Sequence, residues 1–355
     1  MEPRQILIRD SRVIIVLLSL LSVMGTGLII REARGIVLPF ALAVFFSYIL
    51  NPLIAFFEKR RVPRVISILI AVVVTFLLLG LIVFLINTSI FSFAAEFPRY
   101  EERFGLIVNN LIDLYKIPPE LFSTQTGRSE WFKLLANLEN FSVTGVITAT
   151  LSQLTNFLSN TVLVLLFLLF ILMGRNQLNH KLEIAFKPQM SQRLAVISTN
   201  INKEVQKYIV MKTLLSLITA VVVTVVLFFF KVEFAMIWGI LTFLLTFIPN
   251  IGAFIAAVLP ITISIIQFDS YFTIFAVAIS LFVIHFIMGN VVDPNVIGGS
   301  VNLSPLVVLF ALIFWGWLLG IVGMFLAIPL TVIFKIIFDN IDSLRFISIL
   351  MSARR

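Results

Sequence analysis

Residues 234–268 form a run of 35 amino acids without a single charge. As one straight helix the run would be about 52 Å long. The hydrocarbon core of a bilayer is about 30 Å thick. The run must therefore tilt steeply, leave the membrane or fold back. Near its middle stands FIPNIGAFIAAVLP, from Phe247 to Pro260. Pro249 removes a backbone donor, Asn250 is polar and Gly252 is flexible, so the helix is interrupted where water is scarce.

A second apolar run, residues 304–338, has the same length and carries only Lys335. Its middle reads GWLLGIVG, with Gly316, Gly320 and Gly323, and Pro329 follows. Non-helical backbone at membrane depth is tolerated only against protein or a water-filled cavity. A pair of interrupted apolar segments points to a transport site, because helix ends at the breaks expose N–H and C=O groups that bind polar solutes. The alternative is plain packing: a proline kink in the first run, and a Gly316-x-x-x-Gly320 helix contact in the second.

Composition agrees with lipid as the solvent. Hydrophobic residues make up 60% and charged residues 12%, against about 45–50% and 25% in soluble domains. The expected fold is an all-α polytopic membrane protein with about 6–8 hydrophobic spans, two of them broken and re-entrant or paired crossings. The net charge of +8 sits mainly beside apolar runs. That pattern sets topology and does not indicate nucleic acid. With no cysteine, disulfides and thiolate metal sites are excluded.

Loop charge orients the spans. The N-terminus, the loop 58–64 and the segment 175–212 are rich in Lys and Arg, so they are expected inside. Residues 91–155 carry an acidic excess and are expected outside. The resulting organisation is three transmembrane helices in 1–90, with the first run, 13–30, retained as a helix. An extracytoplasmic amphipathic region of short helices occupies 91–155, and a fourth span 156–173. A basic helical linker covers 174–212, a transport core 213–338 with its breaks in 234–268 and 304–338, and a cytoplasmic tail 339–355.

Few polar side chains punctuate this core. Asp293 follows an apolar span and precedes Pro294, as a gating or ion-coupling carboxylate or as a helix-ending residue in an interfacial turn. His285 is the one ionisable group in its span, a proton relay or a packed, hydrogen-bonded histidine. Asn290 and Asn295 are placed to bind solute or to satisfy turn backbone.

Three blocks, WGILTFLLTFIPNIGAFIAAVLP, DPNVIGGSVNLSPLVVL and GWLLGIVGMFLAIPL, stand in this order between Tyr208 and Asp339. With them the chain resembles the autoinducer-2 exporter family of prokaryotic membrane transporters. The first half is similar mainly in layout, with LNPL at residues 50–53 as its one sequence echo. The chain departs from the family where Ser304-Pro305 stands for a frequent His-Pro, and where Asp293 stands for a frequent neutral residue. The resemblance implies a transporter of the cell (inner) membrane. It implies export of autoinducer-2, a quorum-sensing signal, or sodium/proton antiport.

The leading expectation is therefore a secondary exporter of a small hydrophilic molecule. Its solute path would be lined by Pro249, Asn250, Gly252, Gly316, Gly320, Gly323 and Pro329. Asn250 and Gly252 are expected to meet the region of Gly316 to Gly323 near the midplane. The alternatives are an antiporter, with Na+ or H+ as partner and Asp293 as the titrating carboxylate, and a structural membrane protein without flux. No His-Glu-x-x-His and no phosphate-binding loop appears, so neither a zinc enzyme nor an ATP-driven pump is expected, and no cofactor. Both termini are expected in the cytoplasm. Apolar faces left on the outer helices suggest a homo-oligomer.

Overall fold

The computed structural model describes residues 18, 21–22, 25–114, 161–174, 181 and 184–353. Most of the expected first span, the outer segment from Trp131 to Leu138, the start of the fourth span and the terminal Arg354 and Arg355 lie outside the described residues. Among the described residues there is no strand. The elements are α1 (Arg34–Lys59), α2 (Arg64–Leu114), α3 (Thr161–Gly174), α4 (Pro188–Phe229), α5 (Ala235–Leu245), α6 (Ile251–Gln267), α7 (Tyr271–Ile287), a π-turn (Met288–Val292), α8 (Asp293–Val301), α9 (Pro305–Leu319), α10 (Ile321–Asp339) and α11 (Arg345–Met351). Five stretches are long and apolar enough to cross a membrane: Arg34–Lys59, Arg64–Leu85, Pro188–Phe229, Tyr271–Ile297 and Ile321–Asp339. The chain is an all-α polytopic membrane protein.

Two helices run past their expected boundaries. Helix α2 does not stop near residue 90 but continues to Leu114, because the helical spacing of Phe97, Tyr100, Phe104 and Ile107 extends that of the span. Helix α4 joins the basic linker to the following span in 42 unbroken residues. No Gly or Pro interrupts it between Gln189 and Phe229, so nothing local ends it. Helix α1 likewise passes through Pro52, where the sequence suggests a kink or an exit.

The chain divides into two compact units. One comprises Met1–Phe56, Leu163–Ile209 and Ser300–Arg355; the other comprises Phe57–Val162 and Val210–Gly299. Within the first, Tyr48 Oη donates to Asn202 Oδ1 at 3.0 Å and Asn51 Nδ2 donates to Gln206 Oε1 at 3.1 Å. These bonds join α1 to the first half of α4. The ring of Phe45 meets Phe325 edge-on at 5.0 Å. Within the second, Val223, Leu227, Val232, Ala235, Val277 and Leu281 form a buried cluster. The opposite side of α7 exposes Phe272, Phe275, Ile279 and Phe282. An apolar stripe of that size left bare is a lipid-facing surface.

Candidate functional site

Each interrupted run is a helical hairpin, and each hairpin belongs to a different unit. In the first, α5 and α6 pack on each other across the turn 246–250. Pro249 cannot donate to the helix, and it pushes Ile248 out of helical geometry. The chain reverses at Asn250, with φ 60° and ψ −56°. Ile251 N–H donates back to the Pro249 carbonyl at 2.6 Å. This is a positive-φ γ-turn, a rare and strained conformation. It costs on the order of 1–3 kcal/mol, and such strain clusters at functional sites. Asn250 is exposed and its side chain caps nothing. Gly252 is buried, and a Cβ there would overlap the Leu245 carbonyl. The two arms approach so closely that only glycine fits.

The open end of this hairpin is tied shut. Gln267 Oε1 accepts from Glu233 N–H at 2.9 Å, and its Nε2 donates to the Lys231 carbonyl at 2.8 Å. From α2, Arg103 donates to the carbonyls of Ile266 and Gln267, satisfying the last turn of α6. Tyr100 donates its hydroxyl to the Glu233 carboxylate, and Arg99 lies 3.6 Å from the same group. None of these five side chains stands out in the sequence. They lie in the charged margins of apolar runs, and only folding brings them together.

In the second hairpin, α9 and α10 pack on each other and are joined at Gly320. Ser304 caps α9 by accepting from Val307 N–H, with Pro305 at the first helical position. Gly320 adopts φ 71° and ψ −152°, a region open in practice only to glycine. Gly323 is buried, and a Cβ on it would overlap the Trp315 carbonyl. Gly316 faces the flexible Met324 side chain instead. Pro329 is buried inside α10. Trp315 Nε1 donates to Thr331 Oγ1 at 3.1 Å, so this indole ties the arms together. Trp317 lies under the Arg31 guanidinium, 5.4 Å from the ring centre. Buried Lys335 donates to the Asn302 carbonyl at 2.8 Å.

Four polar candidates lie in the unit of the first hairpin. Asp293 does not end a helix in a turn. It continues α7 through the π-turn into α8. The buried stripe of α7 is Val277, Leu281 and His285. Seven residues on, an unbroken α-helix would bring Val292 to that stripe. The extra residue of the π-turn brings Asp293 there instead. Its Oδ2 accepts from Lys212 Nζ of α4 at 2.5 Å. His285 is buried, and its Nε2 has no hydrogen-bond partner among the described residues. Asn290 is exposed and donates to its own helix at the Phe286 carbonyl. Asn295 is exposed. Lys212 is the residue missed by the sequence reading, where it counts only as the last positive charge before a span.

Hairpins broken by strained backbone, in a chain with five candidate spans, are transporter features. Residues 14–343 match the AI-2E family of transporters. This chain belongs to the AI-2E transporter family. It is 33% identical over 344 residues to the "AI-2 transport protein TqsA" of Escherichia coli strain K12, covering 96% of this chain and 95% of that protein. It is 32% identical over 308 residues to the "Putative transport protein YhhT" of the same strain, covering 86% and 85%. A third relative, the "Putative transport protein YrrI" of Bacillus subtilis strain 168, is 25% identical over 312 residues, covering 85% and 86%. As a member of this family the chain is a transport protein and not an enzyme.

Proposed function

We propose that the protein is a secondary transporter that exports a small, uncharged, polar molecule. Autoinducer-2, named for one relative, is the first cargo to try. The observation that carries this reading is the pair of strained breaks, Asn250 in its γ-turn and Gly320 in its glycine-only conformation. Each leaves backbone polar groups at the tip of a membrane hairpin, where a hydroxylated solute can pair with them without buried charge.

The first hairpin is read as re-entrant. Helix α5 has 11 residues, about 16 Å by its rise, too short to cross a core of about 30 Å. Its two ends are held together against Arg99 and Arg103, on the side that loop charge assigns to the exterior. The second hairpin opens on the cytoplasmic side in this reading, with both chain termini there. Efflux from proteoliposomes decides the matter: export of autoinducer-2 or a similar polyol supports it. Movement of no such solute under any imposed gradient, by protein shown to be folded, overturns it.

The Lys212–Asp293 pair favours a second reading, monovalent cation/proton antiport, since a half-buried, ion-paired carboxylate within a membrane span marks ion pathways by default. It is tested by sodium-driven proton flux in the same vesicles.

A further inference from the structure

The seam between α4 and α7 is apolar at one end and polar at the other, and it lies wholly in the unit of the first hairpin. On α4 the residues Lys212, Ser216, Thr219, Val223 and Leu227 recur at helical spacing on one buried face. Val223 and Leu227 share a cluster with Val277 and Leu281 of α7. At the other end Lys212 pairs with Asp293, which the π-turn carries onto the stripe of α7. Loop charge assigns this end to the cytoplasmic side, since Lys212 closes the basic segment 175–212. Ser216 stands one turn, about 6 Å, beyond Lys212, and His285 about 12 Å beyond Asp293 along its own helix. Both are buried, and neither Ser216 Oγ nor His285 Nε2 has a hydrogen-bond partner among the described residues. Thr219 beside them is already satisfied by the Leu215 carbonyl. Leaving two such atoms unpaired is costly, and each calls for an explanation. Polar side chains inside a membrane span mark a cavity or a substrate pathway by default.

Resting on the export reading, we infer that this seam is where the exported molecule is bound from the cytoplasm, and that it takes a small uncharged polyol. The chemistry of the four groups selects that class. Lys212 donates and Asp293 accepts, so the mouth offers both roles and the pair cancels its own charge. A serine hydroxyl also donates and accepts, and an imidazole nitrogen takes either role with its tautomer. A solute hydroxyl, donor and acceptor at once, can pair with each of the four. A free cation would meet the ammonium of Lys212 and an anion the carboxylate of Asp293, so neither charge is favoured. The partners stand at three levels, the mouth, Ser216 and His285, so a molecule with several hydroxyls meets more than one level at once. Beyond His285 the apolar cluster ends the polar lining. The Lys212–Asp293 bond closes the mouth, and entry of a solute requires it to part. Hydroxyls of the solute can then accept from the ammonium and donate to the carboxylate. A few convergent polar groups against an apolar wall are what a small-molecule site needs.

The test is equilibrium dialysis of purified protein in detergent against radiolabelled autoinducer-2 and radiolabelled xylitol, with choline as a charged control. The wild type should bind both uncharged probes and not choline. Ser216→Ala/His285→Leu replaces both unpaired atoms by apolar groups and should weaken binding at least tenfold. Its melting temperature should be no lower than that of the wild type, because Ser216 Oγ and His285 Nε2 have no hydrogen bond to lose. Binding of neither probe by folded wild type overturns the inference, as does an affinity unchanged in the double variant. So does a melting temperature that falls with the affinity, which would mean that the two atoms hold ordered structural water. Ser216→Cys gives a second measurement. A small thiol reagent should modify it, and saturating xylitol should slow that reaction at least fivefold; an unreactive or unprotected cysteine overturns the inference. Efflux from proteoliposomes separates the two levels. Export by the wild type with KM unchanged in the double variant removes the seam and leaves the export reading. Binding at the seam with no export of either probe under any gradient removes the export reading and leaves the site.

Discussion

Lys212 Nζ stands 2.5 Å from Asp293 Oδ2, joining two residues 81 positions apart in the chain. The lysine side chain is 9% exposed and the aspartate 25%. Breaking a buried pair by removing one partner leaves the other charge uncompensated. Asp293→Asn is therefore expected to destabilise the folded protein by about 2–3 kcal/mol, below the about 3–5 kcal/mol of fully buried pairs because the aspartate is partly exposed. The double variant Lys212→Met/Asp293→Asn should recover at least half of that loss. Thermal unfolding in detergent measures both. Additive losses would mean that the two charges are not coupled.

Gly320→Ala places a Cβ in a backbone region that L-residues rarely enter. A loss of about 1–3 kcal/mol is expected; if the tip lines the proposed solute path, efflux falls at least tenfold as well. Gly316→Ala meets the flexible Met324 side chain, at Cε and Cγ, and no backbone, and should cost less than half as much. Equal effects of the two in unfolding and efflux assays would count against a special role for the Gly320 conformation.

The γ-turn at Asn250 makes the opposite prediction for stability. Asn250→Gly removes the steric cost of positive φ and should raise stability by about 0.5–1 kcal/mol. If the strain and the amide serve transport, the same change lowers the efflux rate. A variant that is both more stable and fully active would show the strain to be incidental.

Access to the two tips can be read directly, since the chain has no native cysteine. Asn250→Cys and Gly320→Cys should react with a membrane-impermeant thiol reagent, each from one side of the membrane, and added solute should change the rates. Silence at both positions from both sides, with a cysteine at exposed Lys59 labelling normally from one side, identifies buried kinks and removes the solute path.

The base of the first hairpin depends on one glutamine. Gln267→Ala removes an acceptor for Glu233 N–H and a donor to the Lys231 carbonyl. The expected cost is about 1–2 kcal/mol. Backbone amides of α5 should then exchange with solvent at least tenfold faster, while those of α10, in the other unit, stay unchanged. Uniform acceleration throughout the chain would indicate global destabilisation and no local tie.

The sequence by itself determined that the chain lives in lipid and is helical, where two of its helices break, and which family it resembles. Those properties are local. Apolar run length, a missing proline donor and the conformational range of glycine act within a few residues of themselves, so Pro249, Gly252 and Gly320 announce their turns without reference to the rest of the fold. Tertiary structure alone decided what the isolated polar residues do. Asn250 reads as a polar residue in a break, and the strained γ-turn is visible only in its dihedrals. Asp293 reads as the end of a helix, but a π-turn carries it onto the buried stripe of α7 and Lys212 neutralises it. Gln267 and Arg103 read as boundary residues, and they close a hairpin. Asp293, Gln267 and Arg103 each depend on a partner more than 30 positions away, and no spacing rule along one helix reaches so far. A charge in low dielectric is governed by the nearest opposite charge in space, and only folding sets that distance.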